Sequence, residues 1–150
     1  MLGYYKNPEA TAPIIDVNGW LHTGDLATMD EGGNVTVRGR SKNLLLTSSG
    51  QNIYPEEIES KLNNMPYVSE SLVVLQHDKL VALIYPDFDD AFAHGLHQED
   101  IEKVMEQNRI ELNTQLANYC QVSKVKIHFE EFEKTAKKSI KRFMYQEAKG

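Results

Sequence analysis

Apolar residues recur along the first half of the chain in patterns that predict one hairpin, one short strand and one helix. Residues 26–37 have the pattern of strand, polar turn and strand, because the turn DEGGN contains glycines that can adopt positive φ. A short apolar strand over 44–47 leads into a flexible loop over 48–52. Helical spacing of apolar residues over 55–65 follows Pro55, which suits a first helical position, and predicts a helix there.

The second half of the chain predicts another hairpin, a longer helix and a final strand. Residues 68–75 and 80–86 are apolar and rich in β-branched residues, and the polar HDK sequence separates them. Apolar residues on one side of 99–119, with acidic residues in the first turn, predict the longer helix. A last strand is predicted over 125–129. We therefore expect an α+β fold, a mostly antiparallel sheet with two to three helices.

Composition removes several classes of protein from consideration. The chain has 150 residues, 41% of them hydrophobic, and its single cysteine, Cys120, cannot form an internal disulfide. The five dispersed histidines show no metal-ligand spacing, so we predict no metal site. No apolar run approaches the ~20 residues of a membrane helix, and the N-terminus lacks the pattern of a secretion signal. We expect a cytoplasmic protein without an integral membrane segment.

Charge is unevenly distributed along the chain. The formal net charge is −6, but residues 134–150 carry six Lys/Arg against Glu147, while residues 1–133 carry ten Lys/Arg against twenty-one Asp/Glu. An acidic body is repelled by a phosphate backbone, so we predict no nucleic-acid partner. The basic end can still meet one small anionic ligand, such as a nucleotide.

Two segments near the first hairpin carry candidate binding groups. Asp25 follows Thr-Gly at the start of a strand, where a carboxylate can accept two hydrogen bonds from the vicinal diol of a ribose. A capped turn accounts for the same residues. Arg40 lies where the hairpin ends, and its guanidinium can bind sugar hydroxyls or phosphate. A solvated basic turn is the alternative.

Two later segments also carry candidate chemistry. In the loop at 48–50, Gly50 would let the backbone approach a thiol or a pantetheine chain, although the segment taken alone is only a loop. In residues 134–142 several lysines lie on a short segment, and one of them can stabilise developing phosphate charge electrostatically. Basic ends of chains are more often simply solvated.

The order and spacing of three motifs resemble the adenylate-forming (AMP-forming) acyl-CoA synthetases. Residues 3–11 (GYYKNPEAT), 19–25 (GWLHTGD) and 33–59 are similar to the family patterns GYY-x-NPEAT, GW-x-x-TGD and GR-x-x-x-x-I-x-x-x-G-x-N-I-x-P-x-EIE, with the strand 44–46 leucine-rich where the family usually has Ile or Val. The resemblance extends over essentially the whole chain, and the ending of residues 131–142 (EFEKTAKKSIKR) is similar to that of the long-chain fatty acid group.

The resemblance implies a two-step ligase. A carboxylic acid would react with ATP to give acyl-adenylate and pyrophosphate, and the thiol of coenzyme A would then displace AMP. ATP and coenzyme A are substrates in this reading, and Mg²⁺ is implied with its ligands outside this chain. The resemblance implies that residues 1–39 end a large N-terminal domain of the same polypeptide, that 40–42 form a hinge, and that 43–150 form a mobile C-terminal domain. We expect the fragment alone to be inactive.

Individual residues acquire roles by matching the family motifs. Two match nucleotide-binding positions that reach the ribose hydroxyls, one matches the hinge, and three match a loop presented to the coenzyme A tunnel. These are, respectively, Asp25 and Arg40, then Lys42, then Ser48, Ser49 and Gly50.

The chain departs from the family at its basic end. Where the family has P-K-T-x-x-G-K-I-x-R, gap-free alignment places Ser139 at the catalytic lysine. Lys138 from one position earlier, or Lys141, can take that role, or adenylation proceeds without the contact; we favour Lys138. The alternative from another class is a non-catalytic module of the same family that docks a carrier protein or a subunit.

Overall fold

The computed structural model describes residues 1–146, and the chain divides into two compact units. The first unit is Met1–Asn43, and the second begins at Leu44. Among the described residues, the secondary structure is α-helical and β-stranded in both units, in agreement with the predicted α+β class. The helices in this part of the chain are all too short or too polar to cross a bilayer.

The first unit consists of a short helix and a β-hairpin. Helix α1 (Pro8–Thr11) precedes strands β1 (Asp25–Met29) and β2 (Val35–Arg40), which pair antiparallel, and a 3-10 helix covers Ser41–Asn43. In the turn between the strands, both carboxylate oxygens of Asp30 accept hydrogen bonds from Asn34, and Gly33 adopts a φ of +81°. The predicted hairpin is therefore confirmed. Helix α1 was not predicted, because four residues are too few for a periodic pattern.

The second unit contains three α-helices and five strands within its described residues. The helices are α2 (Pro55–Leu62), α3 (Phe88–Ala93) and α4 (Gln98–Thr114). The strands are β3 (Leu45–Leu46), β4 (Asn52–Ile53), β5 (Val68–Gln76), β6 (Lys79–Pro86) and β7 (Val122–Ile127). Strands β3 and β4 pair antiparallel. The larger sheet has the order β5-β6-β7, antiparallel between β5 and β6 and parallel between β6 and β7.

Both faces of the larger sheet are covered, which explains why β5 and β6 have nearly continuous apolar sequences. Val73, Ala82 and Ile84 point to the face that packs against α2 and α4. Leu72 and Val74, offset by one residue, belong to a second cluster on the other face. That cluster also contains Val81, Leu83 and Phe132, with Ile140 and Tyr145 packed against it. The chain after β7 therefore supplies the cover of the second face.

Three predicted boundaries differ from the structure. Helix α2 ends at Leu62, three residues before the predicted end, and α4 ends at Thr114 and not near residue 119. Strand β7 covers Val122–Ile127 instead of 125–129. The Asn113 side chain explains the early start of β7: it donates to the Val122 carbonyl and accepts from the Val122 N–H, both within 2.9 Å, and so ties the first residue of the strand to the last turn of α4.

Candidate functional site

Asp25 and Arg40 form an ion pair at the open end of the first hairpin. They are paired residues across β1 and β2, and the Arg40 guanidinium lies 2.6 Å from the Asp25 carboxylate. Arg40 also donates to the Thr23 carbonyl at 3.1 Å. The Arg40 hydrogen bond holds the pKa of Asp25 below its ordinary value. Half of the Arg40 side chain and about a third of Asp25 remain exposed, so both groups can reach a ligand.

Lys42, the predicted hinge residue, lies in the short 3-10 helix directly after β2. The preceding residue, Ser41, donates from its N–H and from its hydroxyl to the Gly24 carbonyl, at 2.9 Å and 3.1 Å. Gly24 adopts a φ of +74°, a conformation that favours glycine. Two hydrogen bonds thus tie the chain just before Lys42 to the start of β1, whereas Lys42 itself is exposed. The hinge role of Lys42 stays a prediction.

The predicted coenzyme A loop is a tight turn between β3 and β4. The Thr47 N–H donates to the Gln51 carbonyl, and the Gly50 N–H donates to the Thr47 carbonyl at 2.9 Å. The Thr47 hydroxyl accepts the Gln51 N–H at 3.1 Å and lies 2.9 Å from the Ser49 hydroxyl. Gly50 has a φ of +80°. This loop, predicted as flexible, is therefore closed by its own hydrogen bonds.

Lys138 lies at the end of a second turn with the same hydrogen-bond arrangement. The Thr135 N–H donates to the Ser139 carbonyl and the Lys138 N–H donates to the Thr135 carbonyl, both at 2.8 Å. The Thr135 hydroxyl accepts the Ser139 N–H at 3.3 Å. Lys138 has a φ of +60°, in the left-handed region. Three-residue loops with this geometry favour glycine at that position.

The conformation of Lys138 supports the gap-free alignment of the basic end. In that alignment Lys138 occupies the position where the family has glycine, and Ser139 occupies that of the family lysine. A left-handed residue is expected at a glycine position. The alignment is therefore consistent with the local backbone, and the choice of Lys138 as the catalytic lysine stays a prediction.

Three of the other cations of this segment are engaged in ion pairs, whereas Lys137, like Lys138, is exposed and forms none within residues 1–146. Lys134 lies 2.6 Å from Glu70, and Lys141 lies 3.5 Å from Glu133. Arg142 binds the buried carboxylate of Glu59. Lys138 is exposed, and its ammonium group forms no ion pair with any of residues 1–146. Of the two lysines considered for the catalytic role, Lys138 is thus the one not held by a carboxylate of the described chain.

Sequence reasoning missed two residues that organise these segments. Asp78 accepts hydrogen bonds from Ser48, and Glu59 accepts from Arg142 and from the Val73 N–H. Each partner lies far away along the chain, so no local pattern could reveal the pairing. Within the described residues no group of three or more His, Cys, Asp or Glu side chains is arranged to hold a metal ion.

The model of the AMP-binding enzyme C-terminal domain family matches residues 42–148. Probable acyl-activating enzyme 9 of Arabidopsis thaliana is 34% identical over 155 residues, covering 98% of this chain and 26% of that protein. A long-chain-fatty-acid–CoA ligase of Escherichia coli O6:H1 is 50% identical over 74 residues, covering 49% of this chain and 13% of that protein.

Among solved structures, the ATP-bound MatB of Rhodopseudomonas palustris has a TM-score of 0.67 and 30% identity, over 95% of this chain and 27% of that one. The matched region of the family model exceeds half of the chain, so this chain belongs to the AMP-binding enzyme C-terminal domain family. It is similar to the C-terminal region of AMP-forming ligases, which confirms the resemblance deduced from its motifs. The chain spans about a quarter or less of the length of these relatives.

Proposed function

We propose that this chain is the C-terminal part of an ATP-dependent acyl-CoA ligase that activates a carboxylic acid, in particular a fatty acid, as its acyl-adenylate. The observation that carries the proposal is the pair of Asp25 and Arg40. A carboxylate that accepts from two vicinal hydroxyls, beside a guanidinium that donates to them, suits the ribose of an adenylate. Their cross-strand pairing provides both groups on one rigid hairpin end.

In the first step, an oxygen of the substrate carboxylate attacks the α-phosphorus of ATP. The bond to the pyrophosphate oxygen breaks, and pyrophosphate leaves with the electron pair. Negative charge builds on the phosphoryl oxygens, and a nearby ammonium group stabilises it without transferring a proton. We assign this electrostatic role to Lys138, which is exposed and forms no ion pair within the described residues. No residue of this chain is assigned to the Mg²⁺ that the family resemblance implies.

In the second step, the sulfur of coenzyme A attacks the acyl carbon. The bond from that carbon to the phosphate oxygen breaks, AMP leaves with the electron pair, and the thiol proton passes to solvent. We assign Ser48, Ser49 and Gly50 to the loop along which the thiol chain runs, since its backbone is compact and closed by hydrogen bonds. A backbone rotation at Lys42 would switch the C-terminal domain from the pose for adenylation to the pose for thioester formation, as the family resemblance implies.

Residues 1–43 support the proposal that a larger domain of the same polypeptide is the partner. All of these residues are described, and none of them is buried. Several of them carry large hydrophobic side chains that are exposed: Tyr5 is 88% exposed, Trp20 is 73% exposed, and Val37 is exposed as well. A single hairpin is marginally stable alone. This unit therefore has the character of an edge that packs against more protein.

Fatty acid as the substrate class rests on the relatives. The Escherichia coli protein that is 50% identical over 74 residues is named a long-chain-fatty-acid–CoA ligase. The ending of the basic segment is similar to that group as well. We propose a long-chain fatty acid as the first acid to assay, with shorter and aromatic acids as comparisons.

The test measures acid-dependent pyrophosphate release from ATP by the full-length polypeptide, and then acyl-CoA formation. We expect release with at least one fatty acid. Asp25→Ala and Arg40→Ala should each raise the KM for ATP by about tenfold or more, the loss of roughly one charge-assisted hydrogen bond. Matched controls on the same hairpin are Glu31→Ala and Arg38→Ala, which should leave this KM within about twofold. Absence of acid-dependent pyrophosphate release would refute the proposal.

One observation favours a second candidate function. Ser139, a neutral residue, occupies the position of the family lysine, as expected for a domain that docks a carrier protein or subunit without catalysis. Tight binding of a carrier protein that ATP and fatty acid leave unchanged, together with no pyrophosphate release, would establish this alternative.

A further inference from the structure

A two-residue turn joins β5 and β6 beside the Thr47–Gln51 loop. Gln76 and Lys79 are paired across the strands, and the turn residues His77 and Asp78 have φ values of +48° and +59°. Positive φ at both central positions is typical of the tight type I′ hairpin turn. The strands that lead into this turn have buried centres, so the turn is a rigid point of the domain.

Both carboxylate oxygens of Asp78 accept hydrogen bonds from one residue of the loop. The Ser48 N–H donates to Oδ1 of Asp78 at 2.8 Å, and the Ser48 hydroxyl donates to Oδ2. The two residues are 30 positions apart along the chain. These hydrogen bonds hold the pKa of Asp78 below its ordinary value, as expected for a carboxylate that accepts them in its charged form.

The loop depends on such an external contact because its own strands are minimal. Strands β3 and β4 contribute only two residue pairs, Leu45 with Ile53 and Leu46 with Asn52. Two such pairs are too few to hold a hairpin by themselves. The internal hydrogen bonds of Thr47 define the shape of the turn, whereas Asp78 ties that turn to the rigid sheet.

We propose that Asp78 is a positioning residue for thioester formation: by fixing Ser48 it holds the backbone of Ser49 and Gly50 in the conformation that receives the thiol chain of coenzyme A. This inference rests on the proposed function of the loop. Asp78 acts through Ser48 and has no part in the adenylation step. Its loss should therefore impair one half-reaction and spare the other.

The experiment separates the two half-reactions in the full-length polypeptide. Asp78→Gly removes the carboxylate while keeping a residue that accepts positive φ, and Ser48→Ala removes the hydroxyl donor. We expect Asp78→Gly to raise the KM for coenzyme A by about tenfold and Ser48→Ala by less, since its N–H donor remains. Pyrophosphate release without coenzyme A should stay within about twofold in Asp78→Gly. The matched control Asp89→Asn, an exposed carboxylate on α3, should change neither reaction.

A second measurement tests the hydrogen bonds between Asp78 and Ser48 directly. In the 150-residue chain, the amide hydrogen of Ser48 should exchange about tenfold faster in Asp78→Gly than in the unaltered chain, with Asp78→Asn in between. An unchanged exchange rate, an unchanged KM for coenzyme A, or an equal loss of both half-reactions would each overturn the role of Asp78. Absence of pyrophosphate release by the unaltered protein would instead overturn the proposed function on which it rests.

Discussion

Arg142 binds the carboxylate of Glu59 across 83 residues of sequence, with both side chains nearly enclosed: 15% of Arg142 and 9% of Glu59 remain exposed. Glu59 lies on α2, and the same carboxylate accepts the Val73 N–H of the edge strand β5 at 2.7 Å. The buried Glu59 carboxylate thus joins α2 and the edge strand β5 to Arg142, which follows the turn at 135–139. The ion pair anchors that turn to the core of the domain.

Arg142→Leu should destabilise the 150-residue chain by about 3 kcal/mol at pH 7, because it leaves the Glu59 carboxylate buried without a cation. Arg142→Lys should recover part of this loss, since an ammonium group keeps the charge but not the two-pronged contact. Denaturant unfolding measures both. Lys103→Ala, which removes an exposed ion pair with Asp100, is the control and should cost less than about 0.5 kcal/mol.

The same pair gives a pH dependence with a defined sign. Burial raises the pKa of Glu59, and the hydrogen bonds from Arg142 and Val73 oppose that rise. The folded state then keeps a proton to higher pH than the unfolded state, so this group's contribution to stability falls as pH rises from about 4.3 through the raised pKa. In Arg142→Leu that pKa rises further. The difference in free energy of unfolding between the unaltered chain and Arg142→Leu should therefore shrink as pH is lowered. An equal difference at pH 7 and pH 4.5 would contradict this account.

Phe132→Ala should cost about 3 kcal/mol of stability, because Phe132 is 2% exposed and fills the second face of the sheet. Its ring also meets Tyr145 edge-on, with ring centres 5.1 Å apart, and the Tyr145 hydroxyl accepts the Glu133 N–H. Unfolding in denaturant measures the loss. Phe143→Ala, at a ring that is 76% exposed, is the matched control, and an equal cost in both variants would contradict the assigned packing.

The sequence predicts the elements whose pattern is long and locally determined. The two hairpins and α2 follow from turn residues, from alternation and from Pro55, which is a first-turn residue of α2. Helix α3 was missed although Asp87 caps it by accepting the Asp90 N–H, because six residues do not establish a helical period. The parallel pairing of β7 with β6 depends on tertiary packing and leaves no local signal.

The candidate site was predictable where a motif is contiguous and unpredictable where distant segments meet. Asp25 and Arg40 follow from motifs, and the structure adds that they are neighbours. The contacts of Asp78 with Ser48 and of Glu59 with Arg142 join residues 30 and 83 positions apart, so they depend on the folded chain. The conformation of Lys138 was likewise not apparent, since a lysine does not indicate a left-handed backbone.

Lys138→Gly should stabilise the chain by about 1 kcal/mol, because a left-handed φ of +60° costs a lysine energy that glycine avoids. Lys137→Gly, at a neighbour with an ordinary φ, should instead destabilise it by about 0.5 kcal/mol. Gly50→Ala is the converse change in the equivalent turn. Beyond the two adjoining residues, no heavy atom of the described chain lies within 4 Å of the added methyl group, so the expected loss of about 1 kcal/mol reports the backbone alone. Thermal or denaturant unfolding checks all three, and a destabilised Lys138→Gly would refute the backbone argument.

Replacing Lys138 should slow adenylation by the full-length polypeptide, although the replacement by glycine should raise the free energy of unfolding. If the Lys138 ammonium stabilises phosphoryl charge, Lys138→Ala and Lys138→Gly should each lower kcat for pyrophosphate release by about tenfold or more, even though the glycine variant is the more stable protein. Lys141→Ala, which removes a cation already paired with Glu133, and Ser139→Ala should change kcat by less than about threefold.

A lysine restored at the family position separates the remaining possibilities. Ser139→Lys should raise kcat and should make it insensitive to Lys138→Gly, because the double variant then matches the family sequence at both positions. If Lys141→Ala abolished release while Lys138→Ala had no effect, the assignment would pass to Lys141. If none of the single variants altered kcat, adenylation in this protein would proceed without a lysine from the turn, and the stabilising charge would have to come from the larger domain.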